Sequence, residues 1–368
     1  MRLPAGLLAA LALALGGCAE APSETATDPL GFLQGDDVDG FERAVSPREF
    51  VFPADHAAHP DFRSEWWYFT GNLAAGDREL GFQLTIFRFA LAPIAPDPRT
   101  GWETRQVWLG QLAVSDLEAD RFLQAERVSR GAPGLAGSAA ATLDVFVEDW
   151  RISGKDLTDL QLVAADRDFG IDLTLTAARP IVLQGERGLS RKGPTPGNAS
   201  YYYSVPRLAA TGTVRLPDEI LAVEGTAWFD REWSTSALET DQAGWDWFAL
   251  QLDDGTDAMV YRLRTLDGQM HDFSAGVIID PAGQVQHFAA DALRLVPRRE
   301  WRSDATRRRY PVDWTVRFGD LELAVTARRD RQEHVGRFEY WEGAVEVEGT
   351  RAGRPLSGVG YLEMTGYE

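Results

Sequence analysis

Four segments of this chain recur in the same order further along it, and that duplication constrains the possible folds more than any other feature. Trp66-Trp67-Tyr68-Phe69-Thr70-Gly71-Asn72-Leu73 lies over Trp245-Asp246-Trp247-Phe248-Ala249-Leu250-Gln251-Leu252, and the match runs on ungapped, with Gly76 over Gly255, Phe82 over Tyr261 and Leu84 over Leu263. Glu148-Asp149-Trp150-Arg151-Ile152 returns as Val312-Asp313-Trp314-Thr315-Val316, and Asp172-Leu173-Thr174-Leu175-Thr176-Ala177 as Glu322-Leu323-Ala324-Val325-Thr326-Ala327. Gly225-Thr226-Ala227-Trp228-Phe229-Asp230 returns as Gly358-Val359-Gly360-Tyr361-Leu362-Glu363. The offset falls from 179 at Trp66 and Trp245 to 164 at Trp150 and Trp314, 150 at Asp172 and Glu322, and 133 at Asp230 and Glu363. The second copy therefore has shorter loops, as a diverging duplicate does. A single pair is within the reach of chance, because strands share a small alphabet; a colinear set is much harder to dismiss.

The repeated units read as strand, Gly-containing turn, strand. Leu80 to Phe89 and Gly244 to Leu252 alternate with the period of two that puts one face on a core, and long segments with helical spacing are scarce. The expectation is an all-β chain of two tandem antiparallel domains, 47–233 and 234–368. Closing each into a barrel hides edge strands that an open sheet exposes, although a sandwich satisfies the same pattern almost as well.

Residues 1–17 read as a signal peptide, with a basic start, an apolar run from Leu7 to Leu15 too short to span a bilayer, and Leu15-Gly16-Gly17-Cys18 as a lipobox. Cys18 is the one cysteine, so no disulfide forms within the chain, and its thiol is the expected lipidation site. Residues 18–46 have the composition of a solvated tether. Ala19 after the cysteine favours the outer membrane under the commonest sorting rule, which puts the chain on the periplasmic face of the envelope. The formal charge of −19, with Lys155 and Lys192 the only lysines, disfavours nucleic acid as a partner. Twelve Trp, eighteen Phe and nine Tyr are a heavy aromatic load, suited to filling cores or lining an apolar pocket.

Several segments resemble the bacterial lipocalin-like family of AttH-type proteins and carotenoid 1,2-hydratases, and the AttH-like branch above all. They are Phe52-Pro53-Ala54-Asp55-His56, His59 through Tyr68, Leu189-Ser190-Arg191-Lys192-Gly193, Asn198 through Ser204, and Trp228-Phe229-Asp230-Arg231-Glu232-Trp233-Ser234. The resemblance implies two lipocalin-like barrels. It also implies an ABC transporter with FtsX-like permeases as a partner. The hydratase branch adds water to an isoprenoid double bond with an Asp as proton donor beside His, Trp and Tyr. Asp230 falls at that Asp and Trp228 at the Tyr, while the upstream His-x-Trp is replaced here by Tyr201-Tyr202-Tyr203.

Protonating an unactivated alkene needs a carboxylic acid kept protonated near neutral pH by an apolar pocket, and aromatic faces for the cation that forms. Asp230, Trp228, Tyr201 and Tyr203 are the candidate catalytic set, with Trp66, Tyr68, Trp233, Trp245 and Trp247 as ligand-binding aromatics. The plainer alternative is an Asp at a strand end, paired with Arg231 or Arg63 among core aromatics; Glu363, as the duplicate of Asp230, favours that structural role. His56 and His59 form a His-x-x-His pair without a Cys, better read as a packed loop than as a metal site. No metal or cofactor is expected. Ser190-Arg191-Lys192-Gly193 suits either an anionic head group or an ion pair with the acidic surface, and no hydrolase elbow, P-loop or dinucleotide fingerprint stands out. Three functions fit: a lipoprotein that binds a lipid or terpenoid in or between its barrels and serves an export system, a carotenoid-hydratase-like enzyme, or an envelope assembly or attachment component.

Overall fold

The computed structural model describes residues 38–93, 104–236 and 238–368; the expected signal peptide, Cys18 and residues 19–37 of the expected 18–46 tether lie outside the described residues. Among the described residues the chain is all-β, with two single 3-10 turns at Ala54–His56 and Ala290–Ala292. The first sheet holds β1 (Ser64–Ala75), β2 (Arg78–Ala90), β3 (Gln106–Asp116), β4 (Arg121–Arg130), β5 (Ala136–Ser138), β6 (Leu143–Val147) and β7 (Trp150–Gly154). It continues through β8 (Leu160–Asp166), β9 (Phe169–Ala177), β10 (Val182–Leu183), β11 (Leu189–Arg191), β12 (Ala199–Leu216) and β13 (Glu219–Ser236). The second holds β14 (Gln242–Leu252), β15 (Asp257–Thr265), β16 (Ala275–Ile279), β17 (Val285–Ala289) and β18 (Arg294–Arg302). It ends with β19 (Arg309–Phe318), β20 (Leu321–Ala327), β21 (Glu333–His334), β22 (Tyr340–Arg351) and β23 (Arg354–Met364).

The strand orders are β4-β3-β2-β1-β13-β12-β9-β8-β7-β6-β5 and β17-β16-β15-β14-β23-β22-β20-β19-β18, all pairs antiparallel, so each sheet curls into the expected lipocalin-like barrel. Side chains tie the edge strand β4 to the other side of the first barrel: Arg127 of β4 bonds Asp166 of β8 at 2.8 Å and lies 5.1 Å over the ring of Trp150 of β7. Each interior holds a buried apolar cluster, the first around Trp67, Phe69, Trp150 and Phe229, the second around Phe248, Trp314 and Trp341.

The duplication is visible in register. Tyr68 pairs with Asp230 across β1 and β13, and Trp247 with Glu363 across β14 and β23, the same two offsets in one cross-strand pair. Gly76 and Gly255 lie in the turns that follow the equivalent strands, both in the left-handed region, at φ +61° and +83°. Two details of the repeat change. β1 meets β2 at Ala75 and Arg78, but β14 meets β15 at Gln251 and Asp257, so the counterpart of Phe82 is Ala258 rather than Tyr261. Trp314 pairs with Val325 on β20 as Leu160 pairs with Leu175 on β9, so its counterpart is Leu160, and its likeness to Trp150 is the shared alphabet of strands.

Central strands are buried on both faces. Along β1, Trp67 and Phe69 point into their barrel, while Tyr68 points outward into a third apolar cluster with Trp228 and Tyr202 of its own domain and Trp247, Tyr261 and Tyr361 of the other. The two barrels thus share an interface of outward-facing aromatics, held by burial on the order of 2 kcal/mol for each large side chain.

Residues 54–62 cross the end of the first barrel, tied down by a charged cluster. Glu65, Arg88 and Arg231 have fully buried side chains, and Glu65 bonds both guanidinium groups. The arginines in turn donate to the carbonyls of Phe62 at 2.7 Å and Ala57 at 2.8 Å. His59 stacks on Trp233 at 3.8 Å and meets Asp55 at 3.1 Å, and His56 meets the Tyr203 hydroxyl at 2.5 Å, so both imidazoles serve the packing of this segment. Burial, reinforced by Arg231, lowers the His56 pKa to about 4, which leaves the ring neutral. Among the described residues no group of three or more His, Cys, Asp or Glu is arranged to hold a metal ion. Asp230 is therefore not the partner of Arg231, which Glu65 takes instead.

Glu65→Gln removes the one anion facing two buried cations. It is expected to destabilise the fold by about 3 to 5 kcal/mol, read as a lower urea midpoint at unchanged slope. An unaltered midpoint would show that Glu65 does not hold the cluster.

Candidate functional site

A cavity of about 300 Å³ opens between the barrels rather than inside either one. Its walls are the outward faces of the central strands: Trp66 and Tyr68 of β1 and Phe87 of β2 on one side, Trp245 and Trp247 of β14 and Tyr261 of β15 on the other. A space of this size, largely aromatic with a few converging polar groups, is the usual form of a small-molecule site.

The polar groups collect around Asp230. Its carboxylate accepts from the Ser204 hydroxyl at 2.5 Å, the Trp228 indole N–H at 2.6 Å and the Tyr202 hydroxyl. Despite three donors, burial pushes the Asp230 pKa up to about 7, and Glu232 adds to the rise. Glu232, two residues on along the same face, bonds Ser200 and pairs with Lys192 at 3.2 Å. The Lys192 ammonium sits 4.3 Å over the Tyr261 ring and 5.2 Å over the Tyr202 ring. Burial alone would lower its pKa, but Glu232 outweighs that and leaves it raised. The Ser190–Gly193 loop thus delivers its lysine to a buried ion pair. From the second domain, Glu363 accepts from the Trp245 indole at 2.7 Å, and burial raises it to about 7 with the Asp230 charge contributing. Glu342, beside it in the ladder, accepts from the Tyr68 hydroxyl and is raised well above the carboxylate range, by burial first and Glu363 second.

Of the residues singled out by sequence, Asp230 and Trp228 meet here, and Trp66, Tyr68, Trp245 and Trp247 line the cavity. Tyr201, Tyr203 and Trp233 do not. They face the barrel interior, where Phe50 lies 6.3 Å, 6.2 Å and 5.5 Å from their rings. The tyrosine at the acid is Tyr202. The cause is a β-bulge. The turn of β12 and β13 pairs Leu216 with Glu219, and carrying that register back unchanged sets Val205 opposite Asp230, with Tyr203 and Tyr201 on its face. The register instead slips by one between Val205 and Leu208, around Pro206, so Ser204 sits opposite Asp230 and Tyr202 turns to the cavity. A slip of one residue exchanges the faces of a strand, and Pro206 is its only signal in the sequence.

The raised Asp230 pKa fixes the sign of a stability effect. Between the ordinary 3.8 and about 7 the unfolded chain has released a proton that the folded chain keeps, so stability falls as pH rises through that window and levels off above it. At about 1.4 kcal/mol per pH unit, the loss amounts to a few kcal/mol. Asp230→Asn is expected to remove this part of the slope, measured as the difference between the two proteins' urea stabilities from pH 4 to pH 8. A difference independent of pH would mean that Asp230 titrates normally.

Comparison with known proteins places this architecture. The AttH-like family matches over residues 43–367. The crystal structure of a protein assigned as AttH, from Nitrosomonas europaea, superposes with a TM-score of 0.80 at 37% identity, covering 89% of this chain and 100% of that one. Kievitone hydratase from Nectria haematococca shares the fold at 18% identity, with a TM-score of 0.66 over 89% of this chain and 98% of its own. Dehydratase asqC of Emericella nidulans is 24% identical over 230 residues, 58% of this chain. That match spans 63% of the dehydratase, less than two thirds of its length. With one family covering nearly all of the described residues, the chain belongs to the AttH-like family.

Proposed function

We propose that this chain binds a largely apolar, unsaturated small molecule in the cavity between its barrels and adds or removes water there, with Asp230 as general acid. The observation that carries the reading is a buried carboxyl with a pKa of about 7 set into an aromatic wall. Near neutral pH such a group is present in both protonation states, which is what proton transfer to and from carbon requires. The Tyr202, Ser204 and Trp228 donors hold the carboxylate left behind once the proton has gone, and the surrounding aromatic faces suit a tertiary cation such as an isoprenoid forms. Relatives named as a hydratase and a dehydratase agree in reaction class.

A binding role without chemistry, serving an ABC export system or envelope assembly, is the second reading; the apolar cavity wall and the tether behind Cys18 favour it. In either case an acyl anchor on Cys18 would hold the site on the periplasmic side of the envelope. Cys18→Ala is expected to move the protein from the membrane fraction to the soluble periplasm, read by fractionation; unchanged membrane retention counts against the anchor.

The catalytic reading is tested with a panel of linear isoprenoids and prenylated phenols in oxygen-18 water. Mass spectrometry should find a product one labelled water heavier with the wild-type protein and none with Asp230→Asn, whose ligand binding persists. Turnover surviving that substitution would overturn the role of Asp230. Binding without any turnover would favour the second reading.

A further inference from the structure

We infer that Glu363 is a second catalytic residue of the proposed site, the base that takes a proton from water while Asp230 protonates carbon. This rests on the hydration reading above and adds a residue from the other domain to it.

Asp230 and Glu363 hold equivalent register positions in the two domains, each beside an aromatic of the first strand, Tyr68 and Trp247. Those two rings meet edge to face at 5.1 Å, so the equivalent positions are brought together across the interface instead of lying at opposite ends of the molecule. Bonds cross it in both directions: Tyr68 donates to Glu342, the ladder neighbour of Glu363, and the Trp247 indole donates at 3.2 Å to Tyr202, which itself donates to Asp230. Both acids line the one cavity.

Their surroundings differ in a way that assigns the roles. Asp230 is buried and accepts three hydrogen bonds. Glu363 accepts from Trp245, with the Tyr68 hydroxyl also beside it, and unlike Asp230 it keeps part of its surface exposed at the cavity, where a water can reach it. Other charges near the pair do not neutralise it. Lys192 is held by Glu232, Arg308 is held by Glu339 at the rim, and Arg337 lines the exposed mouth. Glu342 is a third acid, and Tyr68, Tyr202, Tyr340 and Tyr367 are neutral phenols with raised pKa values. Among the described residues no cation bonds either carboxyl, and two such groups in one buried cavity disfavour double ionisation, so near neutrality the pair holds one proton between them. The burial that raises both to about 7 accords with this.

The step then balances. The alkene π pair takes the Asp230 proton and forms a C–H bond, leaving a carbocation and the Asp230 carboxylate. A lone pair of water closes on the cation to form the C–O bond, and the proton it sheds goes to Glu363. Return of that proton to Asp230 through cavity water resets the pair, and the reverse order removes water.

The test starts on the ligand-free full chain, with carbon-13 carboxyl-labelled Asp and Glu titrated by NMR. Glu363→Gln should lower the apparent pKa of Asp230, and Asp230→Asn should lower that of Glu363 by a similar amount; independent titrations overturn the pair. With a substrate from the panel above, Glu363→Gln should cut kcat by roughly 10²- to 10⁴-fold with KM changed little, and remove one limb of the pH profile. Glu363→Asp, which restores a carboxylate, should recover part of the rate and both limbs. If Asp230→Asn abolishes turnover while Glu363→Gln leaves kcat and the profile intact, the hydration reading stands and the role of Glu363 falls. If Asp230→Asn leaves turnover intact, the hydration reading itself falls.

Discussion

Burial of the central strands on both faces is the constraint from which the rest of this structure follows. A barrel strand normally turns one face to the core and one to water. Here β1, β2, β14 and β15 carry aromatics on the second face as well, and Tyr68, Trp228, Trp247 and Tyr261 leave water only because the other barrel covers them. The interface is thus a third core, assembled from residues that neither domain buries alone. A cavity left in such a core is apolar by construction, and any polar group at its edge must find a partner or shift its pKa.

Two of the groups of buried charge in this chain show both solutions. Glu65 faces Arg88 and Arg231 at the barrel end, and burial, which alone would raise its pKa, is outweighed by these two cations, so Glu65 stays well below the carboxylate range. Asp230, Glu342 and Glu363 have hydroxyl and indole donors in place of cations, and burial pushes all three up. Hydrogen bonds from neutral donors support a carboxylate less than a facing guanidinium does, so desolvation wins at the cavity and loses at the barrel end. The first arrangement ties a segment down. The second yields acids that hold their protons near neutrality, which is of use to a reaction and costs the fold stability.

Duplication gives the site its symmetry and divergence breaks it. The position filled by Asp230 in one domain is filled by Glu363 in the other, and Ser204 opposite Asp230 answers to Glu342 opposite Glu363. A pair of acids at equivalent places reads in sequence as a sign of structure, since a strand position alone does not say what lies beyond it. In the folded molecule the same equivalence brings them to one cavity, because the two domains pack through the same face of their central strands.

Alternation and ordered repetition were enough to determine an all-β chain of two like domains, because side-chain period and colinear order are properties of the sequence itself, while the choice of barrels came from the family resemblance. The anchor expected at Cys18 is likewise read from a local motif. The aromatics Trp66, Tyr68, Trp245 and Trp247 were legible as a set through the repeat, and Asp230 through its flanking motif. What only the tertiary structure decided was which face each residue shows and what meets it there. Tyr202 replaces Tyr201 and Tyr203 because one bulge near Pro206 exchanges the faces of β12. Lys192 reaches Glu232 and Glu363 shares the cavity with Asp230 because two separately folded sheets pack against each other. Register slips and domain packing depend on contacts between residues distant in the chain, and no period along one strand records them.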